Sequence, residues 1–241
     1  MKYIKIIFPV LAISFILFFS GCANKLPNQS FNASANTSIK KISIVKPPAA
    51  DEFEIYYHNH PGMNFGLIGG LAMAAEFSSK SSSYNSAIGT EKFDPSAYLV
   101  QSLEKEFLNT TYEIEVLQSL PKKEMEYCKA FEKSNSDAYL DCYIPTVGYI
   151  AGSSSSLYKP TVKTFARLVK NGSSDVLYEK MLVSGESTFI PEDADYLDYD
   201  ETHTYDSFSH LESNATKSVE GLKIALDSVA KQIVLSLGNK K

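Results

Sequence analysis

The stretch from Ala138 to Ser184 constrains the fold more than any other part of the chain. Three strand-like runs follow one another there, Ala138 to Ile150, Thr161 to Val169 and Val176 to Ser184, rich in β-branched and aromatic residues. Asn171-Gly172 stands between the last two and is a strong hairpin signal, although Ser173 and Ser174 lengthen the loop. A three-strand meander with one apolar face needs a cover. The carboxyl-terminal segment offers one: Val219, Leu222, Leu226, Val229, Ile233 and Leu237 form a single helical stripe, closed by Gly238 at the C′ position.

Upstream, Ile42, Ile44 and Val45 predict a short strand that Pro47-Pro48 stops. Asp94-Pro95 is a helix start of the N-cap plus N1 type, followed by Leu99, Leu103 and Phe107 on one face and an end near Asn109. Tyr112, Ile114 and Val116 alternate as a strand, and Lys122 to Lys133 reads as helical, with Met125, Cys128 and Phe131 three apart. The expected fold class is α+β: one two-layer domain, a mixed sheet with an antiparallel three-strand meander covered by helices, and a long carboxyl-terminal helix.

The amino terminus carries an address rather than a fold. Lys2 and Lys5 precede an uncharged run, Ile6 to Phe19, which is too short for a permanent span of about 20 residues and fits a signal-peptide core. The run closes in Phe19-Ser20-Gly21-Cys22, which resembles the lipobox of bacterial lipoproteins, with Phe where Leu is usual. That resemblance implies diacylglyceryl transfer to the Cys22 sulfur, cleavage before Cys22 and acylation, by palmitate or a similar chain, of the freed amine. It divides the chain into a signal peptide 1–21, a lipid anchor and flexible tether 22–38, and a periplasm-facing domain 39–241. Ala23, rather than Asp, follows the cysteine, so by analogy with enterobacterial sorting the expected place is the outer membrane, with the inner membrane or cell surface as alternatives. An ordinary secretory leader in which Cys22 merely follows Gly21 is the other reading.

Several short patterns also resemble the periplasmic domain shared by the curli-secretion lipoprotein and the amino-terminal part of the TolB translocation protein. They are Asp137-Ala138-Tyr139-Leu140 leading into Gly148-Tyr149, Ala166-Arg167-Leu168-Val169 before Val176-Leu177-Tyr178, and Glu220-Gly221-Leu222. The resemblance implies a fold and is silent on chemistry.

Charge narrows the partners. The 241 residues carry a net −5, and because the leader holds two lysines and no acid, the remainder carries −7. A surface with that balance does not release counterions from phosphate, so nucleic acid is not an expected partner. The expected partners are the lipid bilayer, through Cys22, and another envelope protein or a second copy of the chain.

Four candidate sites stand out inside the domain, each with a plainer alternative. Gly62, Gly66, Gly70 and Ala74, followed by Ser78, recur every four residues and line one helix face with small side chains. This face is either packed closely on the sheet or offered to a membrane or a partner. His58 and His60 have a metal-like spacing, yet no further ligand can be named, and a polar loop is the default. Glu192, Asp193, Asp195, Asp198, Asp200 and Glu201 crowd together with Tyr196 and Tyr199. The reading is a solvated acidic loop, against a calcium-ordered one or a contact for a basic partner. Cys128 and Cys142 remain once Cys22 is acylated; a disulfide between them, worth about 3 kcal/mol in the chain-entropy model, competes with two buried thiols.

No catalytic signature is present: there is no Gly-x-Ser-x-Gly, no phosphate-binding loop and no His-Glu-x-x-His. No catalytic residue, metal or cofactor is assigned beyond the acyl groups on Cys22. The expected function is a non-enzymatic binding or assembly factor anchored in the envelope. The alternative is a membrane-tethered enzyme of cell-wall or surface-polymer metabolism.

Overall fold

The computed structural model describes residues 28–89, 93–117 and 125–238. The expected signal peptide and Cys22 lie outside the described residues. Within them the fold is α+β, as the patterning implies: a seven-stranded mixed sheet with helices on its apolar face.

The strands are β1 (Lys41–Val45), β2 (Glu54–Tyr57), β3 (Glu113–Leu117), β4 (Ala138–Ala151), β5 (Lys159–Lys170), β6 (Val176–Ser184) and β7 (Asp195–Leu197). Their order is β3-β1-β4-β5-β6-β7. β4 is long enough to hold two short parallel strands in succession on one edge: Ile42 of β1 opposite Ala138, and Ile55 of β2 opposite Tyr149. Its other edge begins the expected antiparallel meander with β5 and β6.

Alternation along β4 changes phase once, and the change keeps the long strand facing the core. Ala138, Leu140, Cys142 and Ile144 belong to the core, and so do Val147, Tyr149 and Ala151. The register against β5 slips between Tyr143 and Thr146, where Ile144 and Pro145 together oppose a single residue. Pro145 has no N–H for the ladder, so a bulge is the natural place for it.

Helices α1 (Gly66–Ile88), α2 (Pro95–Phe107), α3 (Phe208–Ser213) and α4 (Ala215–Ser236) cover this face. Asp94 caps α2 by accepting from the N–H groups of Ser96 and Ala97 at 2.9 and 3.1 Å, with Pro95 at the first position, as the sequence requires. α4 lies over β5 and β6 and against α2. Its apolar stripe is buried at Val219, Leu222, Leu226, Val229 and Ile233, and Gly238 takes φ +74° just past its end. Asp227 on α4 accepts from Ser102 (2.5 Å) and Tyr98 (3.3 Å) on α2, tying the two helices through side chains.

Two expectations are corrected. Residues 125–133 are not helical but form a loop across the sheet face opposite the helices. Phe131 stacks on Tyr139, Tyr127 meets Tyr143 edge-on, and the backbone of Cys128 is taken up by side chains of β4 and β5 rather than by a helical ladder. The folded unit also begins before the expected boundary at Ile39. Gln29 exchanges backbone hydrogen bonds with Glu179 of β6 (2.8 and 2.9 Å), and Phe31 packs on the core. The folded unit thus includes residues well before Ile39.

Candidate interaction surface

The sheet edge at β2 builds an unusual surface. After Tyr57 the chain turns sharply, with Asn59 at φ +50°, into a 3-10 turn, Pro61–Phe65. His60 caps this turn: its Nδ1 accepts from the N–H of Gly62 at 2.8 Å, which leaves the ring proton on Nε2. That Nε2 donates to Glu76 Oε2 on α1 at 3.0 Å. Glu76 Oε1 accepts from Lys80 Nζ (2.7 Å) and from the Tyr57 hydroxyl (3.3 Å), while Lys80 lies over the Tyr57 ring, 4.8 Å from its centroid. The hydrogen bonds from Lys80 and then from His60 hold the Glu76 carboxyl down at about 2.

This mooring fixes the rotation of α1 about its own axis. Gly69, Tyr84 and Ile88 are buried, and Met73, Glu76, Phe77 and Lys80 are half-buried along the same side. Farther along, Ser81 Oγ accepts from the N–H of Ile55 (2.9 Å), and Asn85 Oδ1 from that of Phe53 (3.0 Å). Tyr84 shares a hydrogen bond with Ser218 of α4 at 2.5 Å.

The consequence is that the 3-10 turn and the first turns of α1 point an apolar surface at solvent. Met63, Phe65, Leu67, Ile68 and Leu71 are 60, 73, 81, 81 and 63% exposed. Phe189 is also exposed and meets the ring of His58 edge-on at 5.2 Å. The sequence from Pro61 to Ala75 contains no charge, and no Lys or Arg occurs between Lys46 and Lys80. At 1.5–3 kcal/mol for full burial of each such side chain and about 25 cal/mol per Å², the group leaves several hundred Å² of apolar surface in water. An ordinary monomer's largest patch is about 300–600 Å² and often functional.

The small-residue face is therefore corrected in its position. Gly62 lies in the 3-10 turn, not in the helix, and is buried against Gly69. Gly66 and Ala74 are exposed, and a Cβ on Gly66 or Gly70 would meet nothing within 4 Å. The face does not pack on the sheet; it lies on the open side among the exposed apolar residues. Periodicity alone could not reveal this, because large apolar residues surround the helix on several sides.

The remaining candidates are dispersed by the fold. His58 faces Phe189 and Tyr56 while His60 serves Glu76, so the pair shares no site. Asp195 belongs to β7 and pairs with Lys180 at 3.2 Å; Asp200 caps the 3-10 turn Glu201–His203 and bonds His203 Nδ1 at 2.8 Å. The acidic run is thus partly a sheet edge rather than a solvated loop. Among the described residues no three His, Cys, Asp or Glu side chains converge as metal ligands.

Cys142 belongs to the core shared with α4, whereas the backbone of Cys128 crosses the other face. There its N–H donates to Asp141 Oδ2 (2.7 Å) and its carbonyl accepts from Arg167 Nη2 (2.6 Å). Neighbouring residues of a strand point to opposite faces, so Asp141 and Cys142 look apart. The Cys128 backbone therefore runs along the face on which Asp141 and Arg167 lie, while Cys142 belongs to the core.

No protein-family model matches the sequence, and no curated protein matches it either. Among solved structures, the chain is similar to a Xanthomonas campestris protein of family DUF330, at 10% identity over 87% of this chain and 89% of that one, TM-score 0.42. It is also similar to a candidate lipoprotein from Caulobacter crescentus (11% identity, 66% and 94% covered, TM-score 0.33). A third is lipoprotein GNA1162 from Neisseria meningitidis (13%, 75% and 98%, TM-score 0.24). At these scores the likenesses carry no argument about what this chain does. Among the described residues, no helix is long and apolar enough to cross a membrane.

Proposed function

We propose that this chain is an envelope lipoprotein, anchored by acylated Cys22 in the outer membrane and facing the periplasm, that acts by binding another protein rather than by catalysis. The observation that carries the binding role is the uncharged, exposed surface that the 3-10 turn and the first turns of α1 form with Met63, Phe65, Leu67, Ile68 and Leu71. A folded domain that moors one side of a helix with an ion-paired cluster and leaves apolar side chains bare on the other presents a contact surface. The leader and the Phe19-Ser20-Gly21-Cys22 sequence support the anchor. Acyl chains contribute about 0.8 kcal/mol per buried CH₂, and two or three hold a protein stably where one does not.

Two measurements on the full-length protein in intact cells test this. Radiolabelled palmitate enters the wild type, and Cys22→Ser abolishes the label and leaves an unprocessed precursor; label that survives the substitution removes the anchor. Crosslinking followed by mass spectrometry finds protein adducts through α1. Recovery of the acylated chain alone, together with hydrolysis of a wall polymer by the purified protein, would replace the binding role with an enzymatic one.

A further inference from the structure

We propose that the occupant of the apolar end of α1 is a second copy of this chain, docked helix to helix along Gly66, Gly70 and Ala74. The inference rests on the reading of α1 as the binding surface and of Cys22 as the anchor.

Gly70 provides the first argument. A mid-helix glycine disfavours the helix relative to alanine. Gly66 has a local reason for its identity in its φ of +58°, but Gly70 carries no positive φ and a Cβ there would meet open space. Among the described residues nothing requires a glycine at this position. Close approach of another helix does: small residues four apart leave a groove in which a second backbone can lie. The groove is flanked on the same element by Leu67, Ile68 and Leu71, which supply the ridges to fill it. Ridge and groove on one helix make the surface self-complementary, as a two-fold contact requires.

Charge and reach argue against the bilayer as the occupant. Helices that lie in a membrane interface are rich in Lys and Arg on the polar face. Here none occurs between Lys46 and Lys80, while Asp51, Glu52, Glu54 and Glu76 do. The chain also enters the described fold at the other end of the sheet. Gln29 joins β6 at Glu179, in the row of Arg167 and Asp141. From Asp141 to Ala151 at the α1 end, β4 covers roughly 30 Å at about 3.3 Å per residue. From Glu76, which bonds Tyr57 beside Ala151, α1 continues roughly 15 Å to Gly66 at 1.5 Å per residue. The chain from Cys22 to Gln29 reaches at most about 25 Å. An upright domain therefore holds its apolar end away from the leaflet that anchors it.

Copies anchored in one leaflet carry these ends at the same height, and confinement to a plane raises their effective concentration. The contact is free of like-charge repulsion, since no charge lies between Pro61 and Ala75 although the chain is acidic overall. Two such patches together remove roughly 400–900 Å² of apolar surface from water, below the size of a free-standing specific interface, so the contact relies on confinement to one leaflet as well as on area.

The test places a benzophenone photocrosslinking residue at Leu67 in the full-length acylated protein and irradiates intact cells. The expected result is an adduct of twice the chain mass whose crosslinked peptide lies in α1, absent when the probe sits at Ser174 on the far hairpin. Gly70→Leu, which fills the groove, is expected to reduce that adduct at least tenfold without lowering the melting temperature. Gly70→Ala is expected to weaken it while raising the melting temperature, a pairing that general misfolding does not produce. Adducts from Leu67 to lipid or to a different protein overturn self-association, the latter leaving the binding role intact. No adduct of any kind overturns both. A dimer adduct undiminished by Gly70→Leu overturns the groove as the contact.

Discussion

A Cβ on Gly62 would stand 2.6 Å from the carbonyl oxygen of Gly69, and one on Gly69 would collide with the carbonyl of Gly62. These two glycines lock the 3-10 turn onto the first turn of α1, and so set which way Phe65, Leu67 and Ile68 point. Neither backbone can yield without shifting the turn. Gly69→Ala is expected to destabilise the protein by about 1–3 kcal/mol, the usual cost of overpacking. Gly70→Ala, one residue later and in open space, is expected to stabilise the monomer by up to about 1 kcal/mol. Urea denaturation of the two variants measures both; equal effects of the same sign would refute the interlock.

Glu76 gives the fold a pH dependence of definite sign. Its carboxyl is held at about 2 in the folded protein against an ordinary 4.5. The stability this contributes is fully present above pH 4.5 and is lost as the pH falls toward 2. Glu115, held at about 2 chiefly by its hydrogen bond from Lys41 and then by Ser134 and Ser43, loses stability in the same window. Glu76→Gln should therefore flatten part, not all, of the decline in melting temperature between pH 4.5 and 2. Because Glu76 is partly exposed, solvent screens the effect and added salt should shrink it. An unchanged pH profile in the variant would remove the cluster as a mooring.

On the opposite face, Arg167 holds the loop 125–133 to the sheet. It donates to fully buried Asp141 from Nε (3.2 Å) and Nη2 (3.0 Å), and its guanidinium lies 4.3 Å from the centroid of the Tyr127 ring. Nearby, burial raises the Glu179 carboxyl, and Arg167 opposes that rise. Removing one partner of a buried pair typically costs about 3–5 kcal/mol. Arg167→Ala should lose an amount of that order in chemical denaturation and expose Lys129 and Lys133 to limited trypsin cleavage. A loss below about 1 kcal/mol would mean that the pair behaves as a surface contact.

Much of the fold was legible because its signals are local. Asp94-Pro95 announces α2, Val176 to Ser184 matches β6 residue for residue, and the stripe from Val219 to Ile233 is the buried side of α4. What was missed depends on distant partners. β2 is four residues long, and only its parallel pairing with Gly148 to Ala151 makes it a strand; β7 likewise depends on β6. The loop at 125–133 shows a helical apolar spacing, yet its aromatic rings and backbone groups find better partners on β4 and β5 than in a helix. The interaction surface was half legible. The small residues and the absence of charge were visible, but whether that face looked inward depended on the Glu76 mooring, which joins residues from three separate elements.

The central claim is that the exposed end of α1 exists for binding and not for folding. It is tested most directly by replacing Phe65, Leu67 and Leu71 together with serine in the full-length acylated protein. Both its melting temperature and its crosslinked adducts in intact cells would then be compared with wild type. Residues that serve only contact leave stability within about 0.5 kcal/mol when changed on the surface, so the account expects an unshifted melting curve and loss of the adducts. A variant that unfolds at lower temperature while keeping the wild-type adducts would contradict it.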